Sequence, residues 1–202
     1  MTKTGIIILS AGKSSRLGQP KQLLAFKGKS LIETAVDAAL NSNCGPVWVV
    51  TGAFQESILP LFCKKPVQII KNPHWEQGMG TSIAMGIGAL VNAGGAEQAI
   101  IMLADQPFVD AELLKGMLQA QEKSKKPIIA ASYQNRTLGV PALFEQKYFD
   151  QLMALKGKEG AKKIIQRHLE QVETISFDRG NIDIDTLSDY EALKKSNWKH
   201  FK

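Results

Sequence analysis

The residues best suited to chemistry lie in one stretch, Ser10-Ala11-Gly12-Lys13-Ser14-Ser15-Arg16-Leu17-Gly18-Gln19-Pro20-Lys21. Glycines let a backbone approach a ligand and turn its N–H groups inward. Lys and Arg add charge, and Arg grips two phosphate oxygens at once. Together they suit a polyphosphate; a solvated basic loop is the alternative. The stretch is not a Walker A loop, which would need glycine at Ile7, nor a GxGxxG turn. A second stretch, Asn72 to Ser82, carries Gly78 and Gly80 for a tight turn, with Thr81 or Ser82 able to cap a helix. Taken alone it reads as loop and cap. In Leu103-Ala104-Asp105-Gln106-Pro107, Asp105 could hold Mg²⁺, which favours a few carboxylates with phosphate oxygens and water. An Asp before Gln-Pro is equally a turn former. A late run, Asn181 to Thr186, offers Asp183 and Asp185, either as carboxylates or as a helix cap. His74, His168 and His200 lack metal-ligand spacing and receive no role.

These residues need elements to hold them. Gly5–Leu9, Val47–Val50, Val67–Ile70, Ala99–Leu103, Pro127–Ala131 and Val172–Phe177 read as strands. The apolar runs among them do not alternate, which places the sheet between two covered faces. Helices are expected over Ser30–Leu40 (Ser30 and Glu33 forming a capping box), Phe54–Phe62, Thr81–Val91, Ala111–Gln121, Gln146–Leu155, Glu159–His168 and Leu187–Lys195. Alternating strands and helices imply parallel βαβ units: an α/β fold, mostly parallel, with helices on both faces. Ligands in such sheets bind beyond the carboxyl ends of strands. That rule selects the segments after Leu9, Ile70 and Leu103.

The chain has 202 residues and a formal charge of +6, with 44% apolar and 22% charged residues. That composition buries a full core and excludes general disorder. No linker or repeat divides it, so residues 1–202 read as one domain with a basic tail from about 194. Cys44 and Cys63 are too few for a disulfide framework and lack zinc spacing. No leader or membrane span is apparent, so a cytoplasmic protein is expected. Aromatics at 7% offer no stacking platform for nucleic acid.

Leu9-Ser10-Ala11-Gly12-x-Ser14-x-Arg16-Leu17-Gly18-x-x-Lys21 resembles the nucleotidyltransferase signature Leu-Ala-Ala-Gly-x-Ser-x-Arg-Met-Gly-x-x-Lys. Within that MobA-like superfamily the chain is most similar to molybdenum cofactor cytidylyltransferases. Asn72-x-x-Trp75-x-x-Gly78-Met79-x-x-Ser82, Asp105-Gln106-Pro107 and Gly139-x-Pro141-x-Leu143-Phe144 match that family's segments. The late Asp183-Ile184-Asp185-Thr186 resembles its Asp-Ile-Asp-Thr-Pro, with Leu187 for Pro. The resemblance implies a single Rossmann-like domain that transfers CMP from CTP to a molybdopterin-type cofactor and releases pyrophosphate. Arg16 and Lys21 would hold phosphates, and Ala11, Gly12, Ser14, Gly78 and Ser82 would complete the nucleotide site. Asp105 and Asp183 would hold Mg²⁺, with Arg16, Lys21 and Asp105 as the catalytic set. Ser10-Ala11-Gly12, where guanylyl-transferring relatives carry Ala-Gly-Gly, favours CTP over GTP. A molybdenum hydroxylase such as a xanthine dehydrogenase is the implied partner. Lys158 and Lys162 depart from the family's Asp and Arg, which suits an anionic acceptor or a different one. GTP, a sugar-phosphate acceptor, or a non-catalytic cofactor chaperone are the alternatives.

Overall fold

The computed structural model describes residues 3–14, 17–181, 184 and 187–195. In chain order its strands are β1 (Thr4–Ser10), β2 (Ala25–Phe26), β3 (Lys29–Ser30), β4 (Val47–Thr51), β5 (Val67–Lys71), β6 (Gln98–Leu103), β7 (Ile128–Ser132), β8 (Leu138–Glu145) and β9 (Val172–Ser176). The helices are α1 (Leu31–Ser42), α2 (Gln55–Ile58), α3 (Met79–Ala93), α4 (Ala111–Ser124), α5 (Phe149–Met153), α6 (Ala161–Arg167) and α7 (Leu187–Lys195). Lys194 and Lys195, expected to begin a tail, still belong to α7. Among the described residues no helix is long and apolar enough to cross a membrane.

Seven strands form one sheet in the order β5-β4-β1-β6-β8-β7-β9, and β2 and β3 form a separate small hairpin. All pairings in the large sheet are parallel except those of β8, which runs antiparallel to both β6 and β7. All seven residues of β1 are buried, as a central strand covered on both faces requires. Its side chains alternate between two cores. Ile6 and Ile8, with Val47 and Val49, pack under Leu31, Ile32, Val36, Leu114 and Met117 of α1 and α4. Ile7 and Leu9, with Trp48 and Val50, pack under Ile83, Ile87, Leu152 and Ile164 of α3, α5 and α6.

Strand β8 departs from the sequence expectation, which left Gly139–Phe144 without a strand. The reason is a bulge. Ala130 pairs with Ala142 but Ala131 with Gly139, so Val140 and Pro141 fall between two registers. A bulge is where an interior strand can accommodate proline, which has no N–H for the ladder. The other expected elements are present, trimmed at their ends. Phe54–Phe62 divides into α2 and a 3₁₀ turn over Leu59–Phe62, with Pro60 at its start. At α1, the Ser30 hydroxyl accepts from the Glu33 N–H while the Glu33 carboxylate accepts from the Ser30 N–H. This capping box fixes where the helix begins.

The chain leaves β1 and returns to the sheet on either side of it, at β4 and then at β6. The order therefore reverses at β1, and the switch-point crevice opens at the carboxyl ends of β1 and β6.

Candidate active site

A cleft of about 460 Å³ occupies this crevice. Three chain segments wall it: Leu9–Ser14 with Leu17, Lys21 and Gln22; Trp75, Glu76, Gly78, Met79 and Ser82; and Leu103–Asp105. They are the three places selected by the strand-end rule.

The first segment is held by buried bonds rather than by regular structure. Leu17 is 5% exposed and anchors the loop in the core beneath it. Ser14 adopts the left-handed region, φ 54°. The Lys21 N–H donates to the Ser14 hydroxyl at 3.0 Å, and that hydroxyl reaches the Gln22 side-chain oxygen at 3.3 Å. Ser14 thus lines the cleft while its hydroxyl serves the loop. The Ala11 carbonyl accepts from the Ala53 N–H at 3.1 Å, which ties the loop to the end of β4. Ala11 is 6% exposed, whereas Gly12 is exposed and has open space around it. Arg16 lies outside the described residues.

Lys21 and Asp105 meet on the cleft wall, Nζ to Oδ2 at 2.8 Å, with side chains 19% and 23% exposed. Asp105 follows β6, and the Ala104 N–H donates to the Leu9 carbonyl at 3.1 Å, locking the two strand ends together. Next to Asp105, the Gln106 amide N–H₂ donates to the Val140 carbonyl at 2.9 Å and reaches the Tyr133 hydroxyl at 3.2 Å. This connects the Asp105 turn to the β8 bulge. Two buried side-chain oxygens have no partner among the described residues, Ser10 Oγ and Gln106 Oε1. Buried polar atoms are rarely left so, and ligand sites are a common exception. Asp183 lies outside the described residues, and no group of three or more His, Cys, Asp or Glu gathers among the described ones. One carboxylate at the mouth of a cation-bearing loop still fits Mg²⁺, which takes most of its ligands from phosphate and water.

The second segment is organised by Asn72, which is fully buried. Its amide N–H₂ donates to the Thr81 and Ser82 hydroxyls at 2.9 and 3.0 Å, and its side-chain oxygen accepts from the His74 N–H at 2.9 Å. Ser82 is therefore placed on the cleft wall by a residue behind it. Gly78 lies at φ 114°, and a Cβ there would meet the Gly157 carbonyl oxygen at 2.2 Å. The Gly80 N–H donates to that carbonyl at 3.0 Å. Gly78 lines the cleft and also seats the turn Lys156–Gly160, the segment expected near the acceptor. In that turn the Glu159 carboxyl is held below its usual value by the Lys163 ammonium and then by the Lys156 N–H. Lys163 thus ion-pairs with Glu159, while Lys156, Lys158 and Lys162 are exposed.

Of the nucleotide residues expected from sequence, Ala11, Gly12, Ser14, Lys21, Gly78 and Ser82 share one cleft with Asp105. Gln22 and Asn72 receive no role from the sequence, Asn72 entering only as a position of the family segment. Each is a buried polar residue directly beside a loop, and each fixes that loop through its side-chain amide.

Comparison with known proteins identifies the family. The model of the MobA-like NTP transferase domain matches residues 6–172. Purine catabolism protein PucB of Bacillus subtilis is 27% identical, covering 94% of this chain and 95% of that protein. The molybdenum cofactor cytidylyltransferase of Escherichia coli K12 is 28% identical over 57% of this chain and 58% of its own length. Nicotine blue oxidoreductase of Paenarthrobacter nicotinovorans is 30% identical over 63% of this chain and 60% of its own. Among solved structures, Rv0371c of Mycobacterium tuberculosis superposes with a TM-score of 0.79 at 24% identity, covering 95% of this chain and 97% of that one. A complex of Rv0371c with manganese superposes at 0.78, with 23% identity, covering 97% of this chain and all of that one. The family model spans the first loop, the second loop, Asp105 and the Lys156–Gly160 turn, and the chain belongs to the MobA-like NTP transferase family as a nucleotidyltransferase.

Proposed function

We propose that residues 1–202 act as one unit that transfers CMP from CTP to a molybdopterin-type acceptor and releases pyrophosphate. The observation that carries this reading is the Lys21–Asp105 pair at the carboxyl ends of β1 and β6, beneath a glycine- and serine-rich loop. A cation and a carboxylate placed together in one cleft provide for a triphosphate and for the divalent ion that accompanies it. The acceptor's phosphate oxygen attacks the α-phosphorus of CTP, a new P–O bond forms, and the α–β bridging bond breaks. Pyrophosphate carries away the electron pair.

Such a reaction asks for positioning and charge neutralisation more than covalent chemistry. Lys21, with Arg16, neutralises charge that builds on the leaving pyrophosphate. Ala11, Gly12, Gly78 and Ser82 orient the nucleoside, and Ser14 keeps its loop in shape. Asp105, with Asp183 as the expected second carboxylate, would hold the divalent cation, for which Mg²⁺ is the assignment. When bound, that cation polarises phosphate oxygens. The solved manganese complex of Rv0371c supports a divalent site on this fold.

The acceptor reading rests on the likeness to the cytidylyltransferase and on the basic acceptor turn. The full-length likeness to a purine catabolism protein fits delivery to a purine-oxidising molybdenum hydroxylase, such as a xanthine dehydrogenase, in the cytoplasm. Lys158 and Lys162 support a second reading, in which the same chemistry serves a different anionic acceptor. The test is pyrophosphate release with Mg²⁺ and molybdenum-loaded molybdopterin, comparing CTP, GTP and ATP. CTP is expected to dominate; a preference for GTP overturns the cytidylyl assignment. If Asp105→Ala still supports hydroxylase maturation in cells, the role is that of a chaperone and not a catalyst.

A further inference from the structure

We propose that Gln22 is a positioning residue that aims two backbone amides, those of Ala11 and Lys13, at the nucleotide. The inference rests on the nucleotide reading of this cleft and adds to it the device that shapes the loop.

Gln22 sits in the 3₁₀ turn Lys21–Leu23 and is 4% exposed. Its Nε2 donates to the Gly12 carbonyl at 3.2 Å and to the Ser10 carbonyl at 3.4 Å. Its Oε1 faces the Ser14 hydroxyl at 3.3 Å. One side-chain amide thereby holds carbonyls two residues apart. In a trans peptide the C=O and N–H of one plane point in opposite directions. The single cis bond among the described residues is Val140–Pro141, so the planes in this loop are trans. With the Ser10 and Gly12 carbonyls turned toward the Gln22 amide, the N–H groups of Ala11 and Lys13 are turned away from it, in a stretch whose residues 11 and 13 both line the cleft. The intervening Ala11 carbonyl is claimed by the Ala53 N–H instead. The result is a pair of similarly directed donors suited to two acceptor atoms of one nucleotide.

Only an amide side chain does this. Glutamate can accept from Ser14 but cannot donate to two carbonyls, and methionine keeps the shape without either function. Lys13 contributes through its main chain. Its exposed side chain is incidental, and its backbone N–H is the contributing group.

The test is a ¹⁵N–¹H NMR titration of the wild-type protein with Mg²⁺–CTP, together with kinetics of Gln22→Met and Gln22→Glu. The Ala11 and Lys13 amide resonances should be among those that move most. Titrations with cytidine and with inorganic tripolyphosphate identify which end of the nucleotide they meet. In the variants the nucleotide KM should rise about tenfold, the loss of one to two hydrogen bonds, while kcat stays within about threefold. If the cytidine titration moves these resonances, the preference between CTP and GTP should narrow at the same time. A merely structural residue would lower thermal stability without moving that preference. Should both variants fail to fold, the wild-type titration decides. Wild-type protein that binds nucleotide with Ala11 and Lys13 undisturbed overturns this inference alone. So does a folded Gln22→Met variant with unchanged KM and preference. Wild-type protein that binds no nucleotide overturns the functional reading and this inference with it.

Discussion

Replacing Asp105 with asparagine should change nucleotide binding in opposite directions with and without divalent metal. In the free protein Asp105 Oδ2 lies 2.8 Å from Lys21 Nζ, and both side chains are about one-fifth exposed. Coulomb's law at that distance and an effective dielectric of 20 gives about 6 kcal/mol of gross attraction. Dehydrating the two ions offsets most of this, leaving a net of about 1.5–3 kcal/mol, as for hydrogen bonds to charged groups. To receive a triphosphate, Lys21 must exchange this carboxylate for phosphate oxygens, and Asp105 itself repels the incoming anion. Asp105→Asn keeps the side chain's shape and removes both obstacles. In EDTA the variant should therefore bind CTP about ten- to a hundredfold more tightly than wild type. With Mg²⁺ the order reverses, because the variant lacks the anionic oxygen that holds the metal, and turnover should fall by about 10³-fold. Titration calorimetry in EDTA and in Mg²⁺ reads the first effect, and pyrophosphate release reads the second. Weaker metal-free binding by the variant would falsify the competition argument. Turnover at the wild-type rate would remove Asp105 from the metal site.

Other substitutions probe the supports of the cleft. Gly78→Ala forces a Cβ against the Gly157 carbonyl from a left-handed backbone, so it should cost about 2–3 kcal/mol and raise the KM of nucleotide and acceptor together, measured by denaturant unfolding and steady-state kinetics. Asn72→Ala removes the three side-chain bonds to Thr81, Ser82 and the His74 N–H that brace the second loop, and a cost near 3 kcal/mol should lower the melting temperature by about 6–12 °C. Ser30→Ala breaks the α1 capping box at a cost of about 1 kcal/mol in thermal unfolding. The Glu33 carboxyl is held below its ordinary value of 4.5, first by the Ser30 hydroxyl and then by the Ser30 N–H. Its contribution is complete above that pH and is lost as pH falls through the lowered value, so Glu33→Gln should cost least in acid.

The parts of this fold legible in the sequence are those set by local composition. β1, β4 and β6 announce themselves because central parallel strands must be apolar on both faces. The site's location follows, since crossovers return the chain to strand ends that all point one way. β8 is hidden because its apolar run contains Gly139 and Pro141, and the bulge that accommodates them is made jointly with β7. The roles of Gln22 and Asn72 are hidden for a different reason. A polar residue beside a loop reads as surface, and the bonds that bury it come from other segments of chain. The second loop is an intermediate case. Its glycines read as a turn, but the surface that requires them is the backbone of residues 155–158, some 75 positions away in sequence.

In the proposed function, that last contact joins the nucleotide wall to the turn near the acceptor. A Cβ at Gly78 would strike the backbone of Gly157 and Lys158, one at Gly80 would strike that of Leu155 and Lys156, and the Gly80 N–H bonds to the Gly157 carbonyl. The joint between the nucleotide wall and this turn is therefore made largely of main chain. Side chains at 156 and 158 point into solvent and take no part in it. Such a joint transmits position but not side-chain chemistry. The acceptor turn can carry lysine at 158, where the cytidylyltransferase pattern has aspartate, with the first and second loops undisturbed. This accounts for a chain that keeps the family pattern in its first and second loops while departing from it at Lys158 and Lys162. It also locates the residues that should retune the acceptor without altering nucleotide choice, Lys158 and Lys162, on the exposed side of that main-chain joint.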